Sequence, residues 1–92
     1  MTQLKLRGEG LTWREIDHEV VALDIESATY VSANASGRLL WKALASGATR
    51  ERLVASLVEE FGIDAERAGA DVDVFLADLE ARGLLESDAA AA

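Results

Sequence analysis

The hydrophobic period of the chain changes near residue 34, and this change limits the possible folds more strongly than any other part of the sequence. Residues 11–33 contain short strand-forming runs broken by polar turns, whereas a helical period starts at Asn34-Ala35-Ser36-Gly37 and continues almost to the end. The sequence therefore predicts a small antiparallel sheet followed by helices. Because the last strand leads directly into a helix, it lies at an edge of the sheet, where another chain can pair with it.

The strand region predicts a three-stranded meander. Residues 11–16 form the first strand, residues 19–25 the second and residues 28–33 the third. The second strand lies in the middle, which leaves the first and third strands at the edges. Residues 1–10 contain two glycines and show no period, so we expect a loose N-terminal arm. Residues 87–92, which end in alanines, are expected to form a disordered tail.

Each predicted helix has a start signal and a stop signal. The side chains of Asn34, Thr49 and Asp64 can accept the free amide hydrogens of a first helical turn. Glycines suited to helix ends follow each apolar run. These signals predict helices over residues 35–46, 50–61 and 65–82. The predicted fold class is α+β, a three-stranded antiparallel meander followed by three helices in a winged-helix-like order, forming one domain over residues 11–86.

The composition excludes several kinds of site. The chain has no cysteine and one histidine, His18, which excludes disulfides, thiolate metal sites and histidine metal clusters. His18 lies in a predicted turn, and no serine has a base partner visible in the sequence, so we expect neither a catalytic site nor a bound metal or cofactor. Without a long apolar run or a signal sequence, the chain is expected in the cytoplasm and not in a membrane.

A nucleic-acid-binding or regulatory protein of the winged-helix type is the alternative interpretation. Such a protein needs cationic side chains on its recognition helix to contact phosphates and bases. The third helix and its cap Asp64 instead carry six acidic residues against Arg67 and Arg82, and the net charge of the chain is -8. Binding of nucleic acid is therefore not expected.

The order and spacing of several short motifs resemble those of the PqqD-like family. The motifs are Glu19-Val20-Val21-Ala22-Leu23-Asp24-Ile25-Glu26-Ser27, Tyr30-Val31, Asn34-Ala35-Ser36-Gly37 before Leu40-Trp41, Gly47-Ala48-Thr49 and Arg82-Gly83-Leu84-Leu85. That family supplies the leader-peptide recognition elements of ribosomally made, post-translationally modified peptides. The resemblance implies a peptide chaperone that is not an enzyme. One departure is Ala28, which replaces the usual glycine of the second turn, where a positive φ would be strained.

The resemblance also implies where a peptide binds. The leader segment of a precursor adds as a fourth strand beside the third strand, against the third helix, and is presented to a separate protease, cyclase or radical enzyme. The peptide-binding residues implied are Thr29, Tyr30, Val31, Ser32, Ala33, Asp71, Val74, Phe75, Asp78 and Leu79. The two aspartates are expected to attract a basic leader residue. The uncharged edge strand further predicts a weak homodimer of the free protein.

Overall fold

The computed structural model describes residues 3–87. Its elements are β1 (Leu4–Leu6), β2 (Leu11–Ile16), β3 (Glu19–Asp24), β4 (Thr29–Ala33), α1 (Ala35–Ser46), α2 (Arg50–Phe61), α3 (Ala65–Ala81) and β5 (Leu85–Ser87). The predicted α+β class, a three-stranded antiparallel sheet followed by three helices, is confirmed.

The main sheet has the strand order β2-β3-β4 with antiparallel neighbours. Two left-handed residues, Asp17 at φ 49° and His18 at φ 67°, form the short turn between β2 and β3, as in a type I′ hairpin. The turn between β3 and β4 contains Ala28 at φ 55°. The sequence departure at this position therefore places an alanine in the positive-φ region that glycine adopts more readily.

The helices begin where the sequence signals place them. The side chains of Asn34, Thr49 and Asp64 accept hydrogen bonds from amide groups three residues later, at 3.2, 3.2 and 2.8 Å. These bonds satisfy amide hydrogens that have no acceptor within the helix. Within residues 3–87, no helix is both long enough and apolar enough to cross a membrane.

A second, two-stranded sheet was not expected from the sequence. Strand β1 pairs with β5 in antiparallel register, with Leu6 opposite Leu85. Leu6 is buried in the core, so the prediction of a loose arm over residues 1–10 is wrong for β1. The pairing also places Ser87 in a strand and extends the ordered unit beyond residues 11–86; the rest of the expected tail, 88–92, lies outside the described residues.

The core lies between the inner face of the main sheet and the three helices. Trp41 of α1 is fully buried, and its ring meets that of Trp13 edge to face with the ring centres 6.1 Å apart. Other fully buried large side chains come from the sheet, from each helix and from the segment after α3: Val20, Leu44, Leu53, Leu57, Val72, Leu79 and Leu84. Helix α1 therefore connects the sheet to the other helices.

An ion pair holds the segments next to β1 and β5 against the main sheet. The Arg7 guanidinium donates to Asp24 Oδ1 at 2.6 Å and to the Gly83 carbonyl at 3.1 Å. Asp24 ends β3 and is buried, while Gly83 follows α3. The hydrogen bond from Arg7 holds the pKa of Asp24 below its ordinary value. One side chain thus links β1, β3 and the segment that leads into β5.

Candidate functional site

A groove of about 280 Å³ runs between β4 and α3. Its walls come from the edge strand, from the first two turns of α1 and from one face of α3. The lining residues are Val31, Ser32, Ala33, Asn34, Ser36, Gly37, Leu40, Trp41, Asp71, Val74, Phe75, Asp78 and Leu79. The arrangement combines a mostly apolar cleft with a strand edge, which are the two components of peptide capture by strand addition.

The floor of the groove is part of the hydrophobic core. Leu40, Trp41 and Leu79 are each at most 2% exposed, which fixes the positions of these side chains. The groove wall includes a close approach at Gly37, where an added Cβ would lie 2.8 Å from Ala33 Cβ and 3.3 Å from a Phe75 ring carbon. A glycine at this helical position lets β4, α1 and α3 meet, because no side chain separates them.

The orientation of the β4 backbone follows from its register. Directly opposed residues of an antiparallel pair alternate between those that exchange two hydrogen bonds and those that exchange none. The Ile25 N–H donates to the Gly10 carbonyl at 2.8 Å, and the register of β2 and β3 places these two residues opposite each other. Alternation from this pair turns the backbone polar groups of Val20, Ala22 and Asp24 toward β4.

The partners of those three residues are Ala33, Val31 and Thr29. These β4 residues therefore bond to β3, whereas Tyr30 and Ser32 direct their N–H and C=O groups to the other side. Within residues 3–87, no strand pairs with that side of β4. The open edge thus presents two N–H donors and two C=O acceptors beside the groove.

The charges along the groove are unevenly paired. Asp78 accepts a hydrogen bond from Arg82 one turn later at 3.1 Å, with about half of each side chain exposed. Asp71 lines the groove and takes part in no ion pair among residues 3–87. A third acid of α3, Asp73, is held by Arg50 at 2.7 Å outside the groove. Asp71 is therefore the lining carboxylate that a cation can approach without breaking an existing pair.

A smaller cavity continues the cleft past Val31. It has a volume of about 230 Å³ and is lined by Asp24, Ser27, Thr29, Val31, Arg82 and Leu84. Val31 lines both cavities, so the cleft follows β4 from Ala33 to Thr29. Helix α3 is antiparallel to β4 along the cleft, since Phe75 lies at the Ala33 end and Arg82 at the Thr29 end.

Eight of the ten residues predicted for peptide binding line the groove. The exceptions are Thr29, which lines the smaller cavity, and Tyr30, whose side chain is 72% exposed on the outer face of the sheet. Sequence reasoning missed the contribution of α1, namely Asn34, Ser36, Gly37, Leu40 and Trp41. A glycine within the first turn of a predicted helix was the available signal, because such a residue often marks a close approach.

The family model for coenzyme PQQ synthesis protein D (PqqD) matches residues 19–85. That range includes the whole of β4 and α3, and therefore both walls of the groove. No curated protein is significantly similar to the chain in sequence.

Two solved structures share the fold. The structure of TbiB1 in complex with the TbiA(beta) leader peptide has a TM-score of 0.82 and 30% sequence identity, and the alignment covers 89% of this chain and 94% of that one. The structure of lasso peptide synthetase B1 complexed with the leader peptide has a TM-score of 0.79 and 22% identity, covering 90% and 96%. The second likeness concerns the fold alone.

Proposed function

This chain belongs to the PqqD family, and we propose from that premise that it is a non-catalytic domain that binds the leader segment of a precursor peptide. The leader adds to the open edge of β4 as a fourth strand and places alternate side chains in the groove against α3. The observation that carries the proposal is the open edge itself, where Tyr30 and Ser32 present unpaired backbone groups beside the cleft. Structural similarity to TbiB1, solved with a leader peptide, supports it.

Strand addition explains how one domain could accept many precursor sequences. Backbone hydrogen bonds provide affinity that depends little on the peptide sequence, and pockets for alternate side chains provide selectivity. The half-buried side chains of Val31 and Phe75 offer apolar contact in the groove, next to the buried Leu79. We further propose that the bound precursor is presented to a separate modifying enzyme, such as a protease, a cyclase or a radical enzyme. The weak homodimer expected from the sequence stays a prediction.

Nucleic-acid binding is not proposed as a second function. The acidic residues Glu66, Asp71 and Glu80 of α3 are exposed and would repel a phosphate backbone. The groove lies beside this surface, which makes an anionic polymer an unsuitable occupant.

Backbone amide exchange tests the proposal directly. The probes are synthetic peptides that match the N-terminal halves of short precursor-like reading frames beside the gene for this chain. In the free protein, the amides of Tyr30 and Ser32 should exchange rapidly, whereas that of Val31 should be protected by β3. A binding peptide should protect Tyr30 and Ser32 selectively. Binding that leaves both amides unprotected, or the failure of every such peptide to bind, would contradict the proposal.

A further inference from the structure

The two ends of the cleft carry opposite charges. Asp71 lines the groove one helical turn before Phe75, which lies near Ala33, and it has no ion-pair partner within residues 3–87. Arg82 lines the end near Thr29. Its only ion pair in that part of the chain is the one with Asp78, whose side chain is 56% exposed. Exposed pairs of this kind contribute little, so Arg82 can exchange Asp78 for a carboxylate on a bound peptide at small cost.

The distance between these charges matches an extended peptide. Asp71 and Arg82 are eleven positions apart, which corresponds to about 16 Å along a helix at its usual rise. Five residues of extended strand span about 13 Å from first to last, and the side chains cover the remainder. A peptide residue opposite Ala33 and another opposite Thr29 are four positions apart, and both point into the cleft with the one opposite Val31 between them.

We propose, on the basis of the leader-binding function above, that these two charges select both the composition and the direction of the leader. Antiparallel addition gives the more stable ladder, and in that direction the residue opposite Ala33 comes first. The leader then carries a basic residue, an apolar residue two positions later and an acidic residue two positions after that. Asp71 binds the basic side chain, Val31 and Leu79 contact the apolar one, and Arg82 binds the acidic one.

Three synthetic peptides with identical flanking residues test this inference. The forward peptide contains Lys-x-Leu-x-Glu, the reversed peptide contains Glu-x-Leu-x-Lys and the neutral peptide contains Gln-x-Leu-x-Gln. Each partly exposed pair changes affinity by about 1.5- to 5-fold. Two such pairs should make the forward peptide bind about 2- to 25-fold more tightly than the neutral one at low salt. The reversed peptide should bind less tightly than the neutral one because it places like charges together, and both differences should decrease as salt is added.

Protein variants assign the preference to the two residues. The double variant Asp71→Lys with Arg82→Glu should prefer the reversed peptide. The control Glu80→Gln removes an exposed charge of α3 that does not line the cleft, and it should keep the forward preference. Loss of the preference in the control would overturn the assignment, because a charge outside the cleft would then be needed to explain it.

The outcomes separate this inference from the proposed function. Equal affinity for the forward and reversed peptides, or a preference for the reversed one, overturns the inference, while selective protection of Tyr30 and Ser32 by either peptide leaves the proposed function intact. If the forward peptide does not bind but an encoded precursor does, only the inference fails. If no precursor binds either, the proposed function fails with it.

Discussion

Replacing Ser32 by proline tests which backbone groups of β4 bind a peptide. The Ser32 N–H points to the open edge, so its loss breaks no hydrogen bond of the sheet, and proline is accepted in an edge strand at such positions. The free energy of unfolding should change by about 1 kcal/mol or less. Val31→Pro instead removes an N–H that bonds to β3, and it should lower that free energy by about 1–3 kcal/mol.

Ser32→Pro, which should change fold stability little, should weaken peptide binding clearly. Loss of the Ser32 donor leaves one carbonyl of the bound peptide without a partner, which costs about 1–3 kcal/mol, or about 5- to 150-fold in Kd. Ser32→Ala is the matched control, since it removes the hydroxyl and keeps the N–H. Calorimetric titration with an encoded leader peptide measures the affinity, and thermal denaturation measures the stability. A folded Ser32→Pro variant that binds as tightly as Ser32→Ala would refute edge pairing, and an undiminished stability of Val31→Pro would refute the assigned alternation.

Two further predictions concern the groove and the ion pair. Gly37→Ala places a methyl group 2.8 Å from Ala33 Cβ and 3.3 Å from the Phe75 ring. It should therefore lower the free energy of unfolding by about 1–3 kcal/mol in chemical denaturation and weaken peptide binding. Adding Ala33→Gly should restore part of both the stability and the affinity, whereas a Gly37→Ala variant with unchanged stability would contradict the close approach. Because Arg7 lowers the pKa of Asp24, the stabilisation by this pair is complete above the ordinary pKa of 3.8 and is lost as the pH falls through the lower folded-state pKa. Asp24→Asn should therefore lower Tm at neutral pH and flatten its decline in acid, whereas parallel Tm profiles for the two proteins would argue against the coupling.

Local rules account for the elements that the sequence predicted correctly. The side chains of Asn34, Thr49 and Asp64 each cap the helix that follows, because a capping bond involves residues only three positions apart. The meander order was equally predictable, since short turns between strands make sequence neighbours pair. The edge position of β4 and its proximity to α3 followed from that order together with the resemblance to the PqqD-like family. Eight of the predicted peptide-binding residues consequently lie together in the groove.

The amino-acid sequence was thus sufficient to predict the order of the elements, the helix starts and the open edge, because all of these depend on residues close together in the chain. The pairing of β1 with β5 could be found only in the folded structure, since two three-residue strands separated by most of the chain carry no detectable period. The folded structure is also needed to know which β4 residues turn their backbone groups outward. Alternate residues of β4 bond to β3, and which alternate set does so depends on the registers between β2 and β3 and between β3 and β4. The pairing of Arg82 with Asp78 is instead a local contact between residues four positions apart. The position of Asp71 in the groove depends on the packing of α3 against β4. A strand edge is therefore visible in the sequence, but the groups it offers to a peptide are set by the folded sheet.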